Sequence, residues 1–493
     1  MQRVSSNTAR RLTAMTATLA LLAGCGGGGG SGSIGGGGTG GTGVTPTPSP
    51  TGTCSLRSRQ DWVAAQMNEW YLFPDTLPTG LNPAAYSTVG AYLDALTAGA
   101  RAQNKDRYFT YITSIAEENA YYNSGSSAGY GVRLALDGSN RLIITESFED
   151  APALAAGIDR GAEIVAIGTS ASNLRTVASI LANEGTAGLN NALGPSTAGT
   201  TRTFQIRDAA GTRNVAVTMT NFSLTPVSSR YGAKLIDDGG KKVGYINLRT
   251  FINTAETPLR NAFATFRAQG ITDVIIDVRY NGGGLISIAD LVNNLLGADR
   301  TSSTVASYVT FRPSKASNNE TTYFAPQPQS IAPTRIAFIG TGGSASASEL
   351  VMNTFIPYLG NRSALIGTNT YGKPVGQIAI DQAACDDRLR VIAFALENSA
   401  HQGAYYNGLA AFMGATCQAS DDLSRQLGDP QEQSTRRALD FLAGRSCTPI
   451  SASAAAGSPG LSPQSATARV SKPMELLMPD RPTTPQREVP GLY

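Results

Sequence analysis

Arg335-Ile336-Ala337-Phe338-Ile339-Gly340-Thr341-Gly342-Gly343-Ser344-Ala345-Ser346-Ala347-Ser348-Glu349 reads as an apolar strand, a glycine loop and the start of a helix. An unbroken apolar run of this length fits a strand covered on both faces, as in a parallel sheet. The pattern recurs upstream, where Val274-Ile275-Ile276-Asp277-Val278 is followed by Arg279-Tyr280-Asn281-Gly282-Gly283-Gly284. Strands predicted at 243–251, 274–278 and 335–339 alternate with helices at 256–269, 285–296 and 348–358, which makes residues 230–447 an α/β domain. Such sheets carry their chemistry at the C-terminal ends of the strands, where both glycine loops fall. Glycine permits unusual backbone angles and close approach, and amides at a helix start can hold an oxyanion. Neither GxxxxGK[ST] nor GxGxxG after the first strand is present, so the loops are not read as phosphate cradles.

A serine in such a loop needs a base to become a nucleophile. The chain has a single histidine, His401, in a Gln-Gly-Ala-Tyr-Tyr setting that reads as an ordinary loop. Lysine serves instead when burial disfavours its ammonium form. Of the seven lysines, Lys373 fits best: it sits in Thr370-Tyr371-Gly372-Lys373-Pro374-Val375-Gly376-Gln377, just after an apolar run, with no acidic residue beside it. Singly, Ser346 also reads as a helix N-cap, and Lys373 as a solvated loop residue.

Outward from this domain, residues 54–127 place apolar and aromatic residues at helical spacing, as in Trp62, Ala65, Met67 and Trp70. They read as a helical N-terminal domain, or as a helical cap on the next one. Residues 128–222 switch to short strands at 131–134, 142–145, 163–167, 203–206 and 215–217, with a helical piece at 151–156. The order resembles a circularly permuted bacterial PDZ domain, and a generic small β domain is the alternative. The resemblance makes Gly129, Tyr130, Gly131 and Val132 the loop that captures a peptide C-terminus by strand addition. Residues 448–493, rich in Ser, Ala and Pro, read as a disordered tail.

At the other end, Arg3, Arg10 and Arg11 precede an apolar stretch at 12–23 that is too short to span a bilayer. Leu22-Ala23-Gly24-Cys25 resembles a bacterial lipobox, which implies a signal peptide at 1–24 and lipidation of Cys25. A plain cleaved signal peptide is the alternative. Gly26 favours the outer membrane, on its periplasmic face. Residues 25–53 are a Gly/Ser/Pro-rich linker. The remaining cysteines, Cys54, Cys385, Cys417 and Cys447, suggest two disulfides in an exported chain. Of the three pairings, Cys385 with Cys417 and Cys54 with Cys447 is preferred, the first closing a local loop and the second tying start to end. No spacing suggests a metal site, and no cofactor is expected. Net charge is +3 from 39 basic and 36 acidic residues without a basic block, so nucleic acid is not an expected partner.

The Asn-Gly-Gly-Gly loop, Ser-Ala-Ser-Ala-Ser-Glu and Tyr-Gly-Lys-Pro-Val-Gly-Gln occur in this order after the strand-rich region. Together they resemble the C-terminal processing (tail-specific) serine proteases of the tricorn-core, crotonase-like type. The resemblance implies that Ser346, three residues before the motif glutamate, is the nucleophile, Lys373 the base and Gln377 its orienting partner. It also implies that the amides of Ala347 and Gly283 hold the oxyanion. The expected activity is endoproteolysis of exported polypeptides with accessible C-termini. The alternatives are a lipid-anchored protein that binds peptides or small ligands without turnover, and an esterase or transpeptidase-like acyl-transfer enzyme. The interval from Ser346 to Lys373 is longer than usual for such proteases, through extra residues near 356–362.

Overall fold

The computed structural model describes residues 54–451 and 474–493, plus a two-residue strand, Gln2–Arg3, that pairs in parallel with Gln377 and Ile378. Cys25 and the linker lie outside the described residues, as do 452–473.

The apolar runs form the centre of a six-stranded sheet, in the order Ala233–Asp238, Lys241–Asn247, Asp273–Asp277, Arg335–Gly340, Ser363–Gly367 and Ala415–Gln418. The first two strands are an antiparallel hairpin, and every later neighbour is parallel. Alternate side chains take opposite faces, as strand geometry requires. Val274, Ile276 and Phe338 meet Phe263, Leu291, Leu350 and Phe355 from the helices Glu256–Ala268, Ile286–Leu295 and Ala347–Leu359. Ile275, Ala337 and Ile339 face Leu439 and Leu442 of the helix Gln433–Leu442. Helices on both faces explain why these strands are apolar throughout rather than alternating.

A second sheet is built on the hairpin Val375–Gln382 and Asp387–Glu397, which also pairs with Val305–Phe311 and Tyr111–Ser114. The N-terminal helices Leu56–Trp70 and Val89–Leu96 bury Val63, Met67 and Leu93 against Val375, Leu389, Val391 and Ile392 of that hairpin. The N-terminal region therefore shares its core with a hairpin of the α/β domain and not with the strand-rich region that follows it in sequence.

The strand-rich region forms a sheet in which Val132–Leu136, Leu142–Ser147, Glu163–Gly168, Thr201–Asp208 and Gly211–Thr218 are successive neighbours. The helical stretch Val177–Leu193, broken at Gly185 with φ 64° and ψ −160°, packs on this sheet and buries Ile180, Leu189 and Leu193. Its Gly185 and Gly188 lower helix propensity, which is why no helix is read there from sequence. Arg249 in the α/β domain bonds to Glu146 and Glu149, and Arg160 to Asp421, so the two regions are joined by buried ion pairs.

Two expectations are corrected. The cysteine bonds are Cys54–Cys385 and Cys417–Cys447. Cys385 lies at the hairpin turn, beside Asp387, which pairs with Arg59 of the first helix, so Cys54 is delivered to it. Cys417 lies on the sheet's edge strand, and the chain leaving the helix Gln433–Leu442 returns to that edge, with the Gln418 amide donating to the Thr448 carbonyl at 2.7 Å. Spacing along the chain misjudged both partners. The tail is the second correction: residues 474–493 are not disordered but packed, with Leu477 and Tyr493 in the apolar core of the strand-rich region. Its composition hid a short apolar run, Leu476 and Leu477, and the end Val489-Pro490-Gly491-Leu492-Tyr493.

Candidate active site

Asp277 and Ile339 sit opposite each other in adjacent parallel strands, so their loops leave the same end of the sheet. Side chains and amides then stitch the loops together. The Ala345 amide donates to the Asn281 carbonyl at 3.0 Å, Ser348 Oγ donates to the same carbonyl at 3.0 Å, and Ser344 Oγ donates to the Val278 carbonyl at 2.8 Å. A third loop joins them through the Tyr371 amide, which donates to the Ser344 carbonyl at 2.9 Å.

Ser346 lies buried at the junction of loop and helix, with φ 59° and ψ −114°. A positive φ is uncommon outside glycine, and a side chain held there is turned away from the ordinary helical path. The strain is sustained by Glu349 one turn on. Glu349 Oε2 accepts from the Ser346 amide at 2.9 Å and from the Lys373 amide at 2.8 Å, and Oε1 accepts from the Gly372 amide at 2.7 Å. Burial pushes its carboxyl above the usual range, while Thr370 and these three amides pull the other way. Glu349 is thus the residue that holds Ser346 and Lys373 together, and sequence reasoning used it only as a motif landmark. The Ser-x-x-Glu spacing of a capping box was the available signal.

Lys373 is buried, and its Nζ donates to Gln377 Oε1 at 3.1 Å while standing 5.1 Å from the centre of the Phe109 ring. Gln377 is buried too and donates its Nε2 to the Phe109 carbonyl. Burial pushes the Lys373 ammonium below the usual lysine value; Glu488 and Asp106 oppose that shift, and Arg487 adds to it. The shift makes the neutral amine easier to reach than on a solvated lysine.

Ala347 opens the helix, and its amide is one of those without a partner inside the helix. Gly283, at φ 123°, is pressed against the serine: a Cβ there would stand 2.8 Å from Ser346 Cβ and 3.2 Å from the Ala347 nitrogen. The Gly283 amide itself donates to Asn281 Oδ1 at 2.9 Å, whereas the Gly282 amide faces outward and donates to the Glu488 carbonyl at 2.9 Å. In this conformation the glycine loop presents Gly282, not Gly283, to whatever lies over it.

The other candidates fall elsewhere. Gly129 ends a strand that pairs with Thr220, and Tyr130 and Gly131 lead from it into the strand-rich sheet at Val132, with the Tyr130 hydroxyl donating to the Leu193 carbonyl at 2.7 Å. That sheet communicates with the glycine loop through Arg133, whose Nη1 donates to the carbonyls of Tyr280 at 2.7 Å and Pro490 at 3.0 Å. His401 is exposed, pairs with Glu397 and stacks on Tyr308 at 4.3 Å, away from these loops. Among the described residues no cluster of His, Cys, Asp and Glu could hold a metal ion.

The model of peptidase family S41 matches residues 242–402, the stretch that carries both glycine loops and the lysine, and the S41 N-terminal domain matches 58–111. Residues 242–402 carry a peptidase family S41 domain. The chain is 27% identical over 265 residues to a chloroplastic C-terminal processing peptidase of Tetradesmus obliquus, covering 52% of this chain and 54% of the relative. It is 26% identical over 252 residues to the carboxyl-terminal-processing protease of a Picosynechococcus strain, covering 51% and 55%. It spans about half the length of the curated relatives it matches. Its fold is that of a crystal structure of a Bacteroides fragilis protein assigned to S41, with a TM-score of 0.60 at 23% identity, covering 78% of this chain and 97% of that one.

Proposed function

We propose that this chain is a serine endopeptidase in which Ser346 is the nucleophile, Lys373 the general base and Gln377 the residue that orients the lysine. The observation that carries this reading is the buried Lys373 amine, held by the neutral Gln377 and fastened through its backbone to the same carboxylate oxygen as Ser346. A lysine without a carboxylate on its Nζ can be neutral near physiological pH, which general-base work requires.

In the proposed reaction Ser346 Oγ attacks a peptide carbonyl as Lys373 Nζ takes the hydroxyl proton. The negative charge on the carbonyl oxygen meets the Ala347 amide and one amide of the glycine loop. Collapse breaks the C–N bond, and Lys373 returns the proton to the leaving amine. Water then attacks the acyl-enzyme with Lys373 again as base, releasing the new carboxyl terminus.

The strand-rich region at 128–222 is proposed to work as a PDZ-like module that engages C-terminal segments of polypeptide substrates. Cys25 is proposed as the lipid attachment site that anchors the exported chain to the outer membrane. Mass spectrometry after reaction with a fluorophosphonate probe tests the nucleophile. The expected adduct is on Ser346, lost in Ser346→Ala, with casein cleavage lost in both Ser346→Ala and Lys373→Ala. Casein cleavage by either folded variant at the parental rate would overturn the dyad.

A further inference from the structure

We infer that residues 474–493 of this chain act as an intramolecular inhibitor, a strap that fills the strand edge at 131–136 and lies across the mouth of the Ser346 site. The inference rests on the peptidase reading above for what is inhibited.

The strap takes up the backbone of the edge strand. Glu475 and Leu476 pair antiparallel with Leu136 and Ala135, and the Leu477 amide donates to the Leu134 carbonyl at 2.9 Å. After a short helical turn the chain returns to the same edge. The Leu134 amide donates to the Gly491 carbonyl at 2.8 Å, and the Tyr493 amide to the Val132 carbonyl at 2.9 Å. The Tyr493 carbonyl oxygen accepts from the amides of Gly131 at 2.8 Å and Val132 at 3.1 Å. This is strand addition onto the very loop expected to receive a peptide. Side chains add selectivity. Tyr493 is buried among Leu134, Ile180 and Leu189, and its hydroxyl donates to Asn190 Oδ1 at 2.6 Å. Val489 and Leu492 pack with Phe148 and Phe222. Gly129 leaves room for the close approach, since a Cβ there would stand 2.7 Å from the Tyr493 carbonyl carbon.

Between these anchors the strap touches both glycine loops. A Cβ on Gly282 would lie 2.2 Å from the Arg487 carbonyl oxygen, and one on Gly343 would lie 2.6 Å from Leu476 Cδ1. The outward-facing Gly282 amide is taken by the Glu488 carbonyl. The Arg487 side chain runs 3.9 Å over the Tyr111 ring and donates to the Tyr108 carbonyl at 3.1 Å, and Tyr122 holds Glu488 Oε1 at 2.8 Å.

The segment over the glycines is a helical turn, Thr484–Glu488, capped at Thr483 by Gln486. Within it the Pro485 carbonyl is committed to the Val489 amide at 2.8 Å, while the Glu488 carbonyl is held by the Gly282 amide at 2.9 Å. An extended chain is needed to offer a carbonyl to a serine, so the strap sits as a plug and not as a substrate. A polypeptide that pairs with the same edge and places an apolar or aromatic side chain where Tyr493 lies would displace it.

The test compares the full chain with one ending at residue 473. Truncation is expected to speed Ser346 labelling by the fluorophosphonate on the order of tenfold or more, the fold-change set by how far the closed state is favoured. A synthetic peptide of residues 484–493 is expected to bind the truncated chain saturably and to slow labelling again. Equal labelling rates with and without the strap overturn the inference, as does a bound peptide that leaves labelling unchanged. Baring the apolar groove can cost the truncated chain its fold, so full-length Tyr493→Asp is the second variant. There too faster labelling is expected, and an unchanged rate in a folded variant overturns the strap. Peptide binding is also read by fluorescence anisotropy on a truncated Ser346→Ala chain. Failure there counts against the strap alone, whereas intact binding with no probe adduct in any wild-type-serine chain counts against the peptidase reading.

Discussion

Lys373 Nζ donates to Gln377 Oε1 at 3.1 Å, and Gln377 is itself pinned through its Nε2 to the carbonyl of Phe109. The partner is neutral, so it directs the amine while favouring the ammonium form less than a carboxylate would. Gln377→Glu would place a carboxylate on the lysine and raise its pKa. The expected result is a fall in kcat/KM at pH 7 of about 10–100-fold, with the rate recovering at more alkaline pH than in the parent. A pH–rate profile checks this, and a uniform loss without an alkaline displacement would make Gln377 merely structural.

Lys373→Met should abolish activity and stabilise the fold. Burial lowers the folded-state pKa below that of the unfolded chain. Between those two values the unfolded chain binds the extra proton, so stability rises with pH through that window and is poorest below it. Removing the amine deletes this cost. The gain is expected on the order of 1 kcal/mol, a Tm rise of about 2–4 °C, largest at pH below the lowered pKa. Thermal unfolding at several pH values reads it; a variant destabilised at every pH would contradict it.

Glu349 accepts three backbone amides in the protein interior. Glu349→Gln turns an amide donor toward amide donors, leaving at least one buried N–H unmatched. A loss of about 1–3 kcal/mol in urea unfolding is expected, with probe labelling of Ser346 slowed even where the variant is fully folded. Labelling at the parental rate would show that the shared carboxylate is not needed to set the serine.

The bond between Cys54 and Cys385 ties the first helix to the turn of the hairpin that bears Gln377. Non-reducing peptide mapping should recover Cys54 with Cys385 and Cys417 with Cys447. Cys54→Ser is expected to cost about 2–4 kcal/mol in denaturant unfolding. A mapped Cys385–Cys417 peptide would refute the pairing.

The central sheet and its loops were legible because their residues obey local rules. Ile336, Ala337, Phe338 and Ile339 could only be a doubly covered strand, and the Gly282-Gly283-Gly284 run could only be a close-approach loop. The poverty of histidine and lysine narrowed the candidate base to Lys373. What could not be read depends on partners far away in sequence. The hairpin Val375–Gln382 and Asp387–Glu397 takes its identity from the N-terminal helices packed on it. Cysteine pairing follows from where the chain returns, not from spacing. The strap at 474–493 has too little apolar content to hold a shape alone and gains it only on the edge of another sheet. That the Gly283 amide donates to Asn281 while the Gly282 amide meets the Glu488 carbonyl turns on a single side chain, Asn281, whose orientation no pattern announces.

One carboxylate oxygen receives both the Ser346 and the Lys373 amide, so the separation of those nitrogens is capped by the length of two short bonds. Pulling the two residues apart would strand a buried acid. The two backbones are therefore tied to one another, and separating them is a costly switch. Control has to act on access, through what is allowed to rest above a pair that stays cocked.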